Sequence, residues 1–384
     1  MKSLQRKLAH RRVNHLYRQR LVNTGPQQTE LAVEGGSLLS FCSNDYLGLA
    51  SDPRVITAWQ QGANQYGVGT GASHLVSGHS EAHRALEEEL ATFVGAQRAL
   101  LFSTGYMANQ AIMTTLMGSR QDCIYEDRLN HASLIDAARL AQARVRRYRH
   151  ADNRHLQQLM ADRGSGQALV STDGVFSMDG DIAPVPELLH LVQQHNAYLL
   201  IDDAHGFGVL GSGAGGTLQH YNIEANDSVI LMATLGKAAG VFGAFVAGSE
   251  ELIETLIQFA RTYIYTTALP PALAEAVRAS LRIIRQEPER RQTLHERVAQ
   301  FRTGAKERGL VLMESSSPIQ PLVLGASEQA LQVSQALRKQ GILVTAMRPP
   351  TVPDDTARLR ITLCCQHSVA QVERLLDNLA AVLP

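Results

Sequence analysis

Between residues 8 and 305 the chain has one lysine, Lys237, although 31 of its 36 basic residues are arginine. Arginine keeps its proton at any physiological pH, whereas a desolvated lysine can lose one and act as a nucleophile or base. Lys237 closes the run Ser228 to Lys237 (SVILMATLGK), an apolar strand pattern ending in small residues that leave room for a ligand. The plain alternative is a solvated strand-end charge. Two further groups sit in equivalent places. Tyr198 to Ile201 runs into Asp202-Asp203-Ala204-His205, and a carboxylate at the end of a buried strand needs a cationic or protonated partner, or else caps a turn. Ala99 to Phe102 runs into Ser103-Thr104-Gly105-Tyr106 and a helix, whose first N–H groups and positive dipole end suit a phosphate as well as an ordinary cap.

Taken together, a phosphate cradle, a buried aspartate and a lone amine are the parts that pyridoxal 5′-phosphate (PLP) requires. A competing motif is Gly206-Phe207-Gly208-Val209-Leu210-Gly211, a literal G-x-G-x-x-G. The nicotinamide fingerprint needs a helix to open inside it, but Ser212 to Gly216 is loop-like, so these glycines read as close turns beneath a ligand.

The elements that must position these groups follow from periodicity. Ala99–Phe102, Cys123–Tyr125, Ala168–Ser171, Tyr198–Ile201, Val229–Ala233 and Ala244–Val246 are short, nearly continuous apolar runs bounded by turn residues. They read as strands buried on both faces of a mostly parallel sheet, with helices such as 107–117 and 186–195 between them. In such a sheet ligands bind at the carboxyl ends of the strands. One long helical stretch, 271–308, leads to a smaller α+β region with strands at 320–324 and 359–363. The reading is an N-terminal helical segment over 1–44, a large α/β domain over 45–285 and a C-terminal α+β domain over 286–384. Residues 1–20 hold seven Lys/Arg and no acid, with Leu4, Leu8, Val13, Leu16 and Tyr17 at helical spacing, which predicts an amphipathic helix.

Composition narrows the function classes. Thirty-six basic and 36 acidic residues cancel in 384, which removes a global electrostatic case for nucleic acid. No apolar run approaches a membrane span, and no apolar stretch follows the N-terminal charges, so neither insertion nor secretion is expected. Cys42, Cys123, Cys364 and Cys365 form no C-x-x-C pair and no zinc spacing; reduced thiols in a cytoplasmic protein, and no metal, are the expectation.

Ser43 to Leu49 (SNDYLGL), Asp173 to Asp181 (DGVFSMDGD), Asp202 to Gly206 (DDAHG) and Thr234 to Lys237 (TLGK) resemble, in order, motifs of the α-oxoamine synthases. The resemblance spans about residues 5–380. It implies a fold-type-I PLP-dependent transferase that condenses an amino acid with an acyl thioester and releases carbon dioxide. It also implies a homodimer. Position by position, Lys237 would be the Schiff-base amine and the base at Cα, and Asp202 the partner of the pyridinium nitrogen. His205 would bond the ring hydroxyl, His131 stack on the ring, Gly105 and Tyr106 contact the cofactor, Ser177 lie at the ring and Thr234 at the phosphate. Arg360, on one strand face with Arg358, matches the residue that grips the substrate carboxylate, and Arg18 and Thr351 match positions near substrate. Arg348 to Pro353 (RPPTVP) resembles the member that joins L-alanine to a pimeloyl thioester carried by CoA or acyl carrier protein; glycine-using members are the alternative. Two positions depart: Asp173 stands where the family usually has Glu, and Thr70 to Gly78 (TGASHLVSG) differs from the usual glycine-rich segment.

Overall fold

A computed structural model describes residues 2–383; Met1 and Pro384, the outer ends of the expected terminal segments, lie outside the described residues. The chain divides into two compact units, each discontinuous in sequence: Asp52–Ser177 with Ile182–Pro288, and Met1–Ser51 with Met178–Asp181 and Glu289–Pro384.

The Asp52–Pro288 unit is built on a seven-stranded sheet. In spatial order its strands are Arg98–Phe102, Ala244–Gly248, Val229–Thr234, Tyr198–Asp202, Ala168–Asp173, Cys123–Asp127 and Arg144–Tyr148, all parallel except Ala244–Gly248. The six runs expected from the sequence are all strands of this sheet. Their residues are buried because helices cover both faces, and Leu100, Ile112, Leu169, Leu200, Ile230 and Val246 share one core cluster. The seventh strand, Arg144–Tyr148 (RVRRY), has no apolar run; it is an edge strand with mostly exposed side chains, where burial imposes no apolar pattern. Helix Pro53–Tyr66 lies against helix Pro271–Gln286 so closely that a Cβ on Gly62 would sit 2.9 Å from the Ala272 Cα.

The expected long helix over 271–308 is in fact two, Pro271–Gln286 and Glu289–Glu307. Pro288 clashes with a helical residue before it, and Glu287 accordingly leaves the helix at φ −120°, ψ 63°. The break coincides with the border between the two units.

In the other unit, Ile319–Gly325, Ala357–Thr362 and Thr345–Met347 form an antiparallel sheet with Ala357–Thr362 at its centre. A second small sheet joins Glu30–Val33, Gly36–Ser40 and Ile342–Leu343. The amphipathic segment is helical over Lys2–Val13 only, and Leu4 and Val13 are 64% and 78% exposed. Leu16 and Tyr17 fall beyond its end, where His15 turns to φ 56°.

Candidate active site

Strand register brings the chemistry together. Asp173 pairs with Asp202, and Asp202 with Met232, at the carboxyl ends of three adjacent parallel strands. Where Phe102 ends its strand, Thr104 caps helix Gly105–Leu116 by accepting the Met107 N–H at 3.2 Å. Where Asp127 ends its strand, Asp127 Oδ1 takes the Leu129 N–H at 2.8 Å and the chain turns to His131, which caps helix Ala132–Leu140 through Nδ1.

These strand ends enclose a cavity of about 190 Å³. Gly105, Tyr106, His131 and Ser177 line it, and so do Asp202, His205, Thr234 and Lys237. Lys237 is half-buried, and its Nζ lies 2.7 Å from His205 Nε2. Thr234 Oγ1 donates to the Gly243 carbonyl at 3.0 Å and accepts the Gly236 N–H at 3.3 Å, fixing the turn that carries Lys237. The phenol of Tyr106 donates to Asp136 at 2.8 Å.

Four residues that sequence reading did not assign to the site also belong to this wall: Ser133, Asp173, Ala204 and Met232. A fifth, Asn109, stands behind them. Its amide donates to Asp202 Oδ2 at 2.8 Å and to Ser133 Oγ at 2.9 Å, while the Ala204 N–H donates to Asp202 Oδ1 at 3.2 Å. Ser133 Oγ in turn lies 2.8 Å from His131 Nδ1. A polar chain thus runs from the carboxylate to the imidazole. The signal for Asn109 was a polar side chain on the buried face of an apolar helix, one turn after Gly105.

Electrostatics separates the acids. Burial, and then the neighbouring Asp202 carboxylate, pushes Asp173 well above the usual carboxylate range, while the His131 N–H bonded to its Oδ2 at 2.7 Å opposes the rise. Burial lowers His131, and the Lys237 cation adds to this against the opposing Asp202 charge, so the imidazole is neutral at pH 7. Asp203 faces away from the cavity chemistry. Burial raises it to about 7, and Thr217 donates to it through both its hydroxyl and its N–H.

Within the G-x-G-x-x-G run Gly206 makes room for Asp203, since a Cβ there would lie 2.1 Å from Asp203 Oδ1, while Gly208 and Gly211 adopt positive φ beside Ala238 and Gln219. Gly216 is just as confined, with 1.9 Å to Asp203 Oδ2. No helix opens inside that run, as the sequence context indicates.

The cavity fits PLP on its own chemistry. The first N–H groups of helix Gly105–Leu116 have no intrahelical acceptor, and Gly105 and Tyr106 edge the cavity there. A Cβ at residue 105 would press on Met232 Sδ at 3.3 Å. An anion-favouring helix end, a carboxylate held by neutral donors, and an amine are all present in one space.

In the other unit, Arg18 donates to Thr351 Oγ1 at 3.1 Å. Arg360 and Arg358 are both buried on the central strand of the antiparallel sheet. Arg358 is bound to Asp179 Oδ1 at 2.5 Å, whereas Arg360 donates to the neutral oxygens of Asn44 at 3.1 Å and Thr362 at 3.0 Å.

The model of the aminotransferase class I and II family matches residues 37–379. An 8-amino-7-oxononanoate synthase of Thioalkalivibrio sulfidiphilus is 57% identical over 380 residues, covering 99% of this chain and 97% of the relative. The chain belongs to the aminotransferase class I and II family, and within it to the 8-amino-7-oxononanoate synthases. Among solved structures, a serine palmitoyltransferase from S. paucimobilis with a bound PLP–myriocin aldimine superposes with TM-score 0.93 at 29% identity, covering 99% of this chain and 96% of that one. The 8-amino-7-oxononanoate synthase of Francisella tularensis matches with TM-score 0.78 at 33% identity, over 90% and 97% of the two chains. The synthase fold is therefore that of the fold-type-I PLP transferases, and its cofactor is PLP.

Proposed function

We infer that the chain joins L-alanine to a pimeloyl thioester, releasing carbon dioxide and a free thiol and leaving 8-amino-7-oxononanoate, a step of biotin biosynthesis. The observation that carries this reading is the 57% identity to a synthase of that name across almost the whole chain, with the lone lysine, aspartate and histidines of the motif set in one cavity.

PLP, when bound, supplies an electron sink for the charge left at the amino acid's Cα. Lys237 is the residue that would hold its aldehyde and then take the Cα proton at Nζ. His205, with Nε2 2.7 Å from Lys237 Nζ, would bond the ring hydroxyl beside that amine. Asp202 would hold the ring nitrogen in its protonated form; Asn109 and the Ala204 N–H orient the carboxylate for this task. His131, neutral and capping its helix, offers a flat ring for stacking, and Ser177 and Thr234 would contact the ring and phosphate regions. The helix start at Gly105 and Tyr106 would take the phosphate.

With the charge at Cα so held, that carbon would bond to the thioester carbonyl as the C–S bond breaks and the thiolate departs; the resulting β-keto acid would lose its carboxylate as carbon dioxide, and a proton would return to the same carbon. Arg360 would take the amino acid carboxylate, as a guanidinium with two parallel N–H donors can. Arg18 and Thr351 would lie near substrate.

The partners of this reading are L-alanine, pimeloyl-CoA or pimeloyl-acyl carrier protein, and a second copy of the chain. A homodimer is the assembly that the resemblance to the α-oxoamine synthases implies. Four free cysteines suit the reducing cytoplasm, and no described helix is long and apolar enough to cross a membrane.

The test is thiol release by the PLP-loaded protein, with L-alanine and pimeloyl-CoA against glycine and acetyl-CoA. Release with the first pair alone is expected. Release with glycine alone would keep Lys237 chemistry and overturn the substrate assignment.

A further inference from the structure

Outside the cavity, the Asp52–Pro288 unit holds a second cluster of metal-ligating side chains. His74 opens the π-turn His74–Gly78, His79 follows it, and His83 lies one helical turn on, in the first turn of helix Glu81–Val94. Among the described residues, this is the histidine, cysteine and carboxylate group whose ligand atoms converge, one ring nitrogen of each lying within 4.8 Å of the other two. We propose that His74, His79 and His83 bind a divalent transition-metal ion of the zinc class, with water completing the shell.

The ring orientations support Nδ1 as the ligand atom. His74 Nδ1 and His79 Nδ1 face each other at 3.0 Å, where the two nitrogens share one proton or one ion. One outward nitrogen has the kind of acceptor that metal-bound imidazoles use: His83 Nε2 lies 2.5 Å from the Leu269 carbonyl, while His79 Nε2 lies 3.9 Å from Glu87 Oε2, too long for a hydrogen bond. The Tyr263 ring stacks on His74 at 5.0 Å and fixes its plane.

His79 is exposed while its two partners are buried, which gives the ion a way in. Against this, His83 Nδ1 accepts the Ser80 N–H at 3.0 Å and lies 2.9 Å from the Ser80 hydroxyl, and an ion must displace both contacts. The site is therefore an exchangeable one, weaker than a closed structural zinc centre. A bound ion would tie the His74–Gly78 turn to the helix that follows.

The experiment titrates Zn2+, and separately Co2+, into chelator-treated, PLP-loaded protein, reading stoichiometry by calorimetry and ligand-field absorption with Co2+. One saturable ion per chain is expected. His79→Ala, at an exposed position, should weaken binding at least about tenfold, with the cofactor band and the melting temperature in the absence of metal serving as folding controls. Equal Zn2+ affinity in wild type and His79→Ala would place the ion elsewhere and overturn the proposal; so would the absence of saturable binding in the wild type at millimolar Zn2+.

Discussion

The roles proposed for Lys237, Asp202 and the imidazoles around them depend on their surroundings. Lys237→Ala removes the amine and should abolish thiol release together with the visible band of bound cofactor; survival of either would break the assignment. Asp202→Asn keeps the shape and the Ala204 contact but loses the charge that, in the proposed reading, would hold a ring nitrogen protonated. We expect kcat to fall by about 10²-fold or more, with a much smaller change in the alanine KM. Steady-state kinetics with varied alanine separates the two. A third prediction concerns His367, whose Nδ1 accepts the Cys364 N–H at 2.9 Å while Nε2 lies 3.0 Å from the Ser40 carbonyl. Burial lowers its pKa from 6.5 to about 4. A group depressed in the folded state contributes stability that is present above pH 6.5 and is lost as the pH falls through about 4. That window is worth about 3 kcal/mol. Urea unfolding of wild type and His367→Gln should diverge in slope between pH 7 and 4, and parallel pH profiles would refute the assignment.

At the scale of elements, the close approach of helices Pro53–Tyr66 and Pro271–Gln286 depends on Gly62 having no side chain. Gly62→Val gains little in helix propensity and meets backbone, so it should cost about 2 kcal/mol, read as a lower urea midpoint with unchanged slope. A neutral result would mean the helices can part freely. The same scale shows where sequence patterns inform. Both-face burial writes an apolar run into six strands of the large sheet, and these were legible. The edge strand Arg144–Tyr148 carries three arginines, because half its surface meets solvent and its identity as a strand comes from pairing with Cys123–Asp127. The two-residue and three-residue strands Ile342–Leu343 and Thr345–Met347 are too short to show any period.

For the whole molecule, the two units are woven from separated segments: Met178–Asp181 belongs with the chain ends although residues on either side belong with the large sheet. A linear reading in three consecutive blocks has no means of expressing this, because contacts ignore sequence distance. The homodimer reading gives a prediction here. Sedimentation of the PLP-loaded protein should show twice the 41.9 kDa chain mass, and Phe259→Glu, which places a charge on an exposed apolar residue, should shift it toward monomer. A wild type that sediments as monomer would remove that reading.

The sequence by itself determined the chemistry available: one lysine amid arginines, acids and glycines at strand ends, and a sheet whose carboxyl edge must hold them. Local patterning suffices for this, since burial on both faces selects apolar runs and leaves functional groups at their ends. Only the tertiary structure decided the surroundings of the two adjacent acids, of which the family resemblance singles out Asp202: Asp202 lines the cavity, while Asp203, one residue past the strand, turns into the Thr217 and glycine cage. It likewise decided that Asn109 and Ser133 link Asp202 to His131, and that His74 joins His79 and His83, because those meetings depend on strand register and on a five-residue π-turn, not on spacing along the chain.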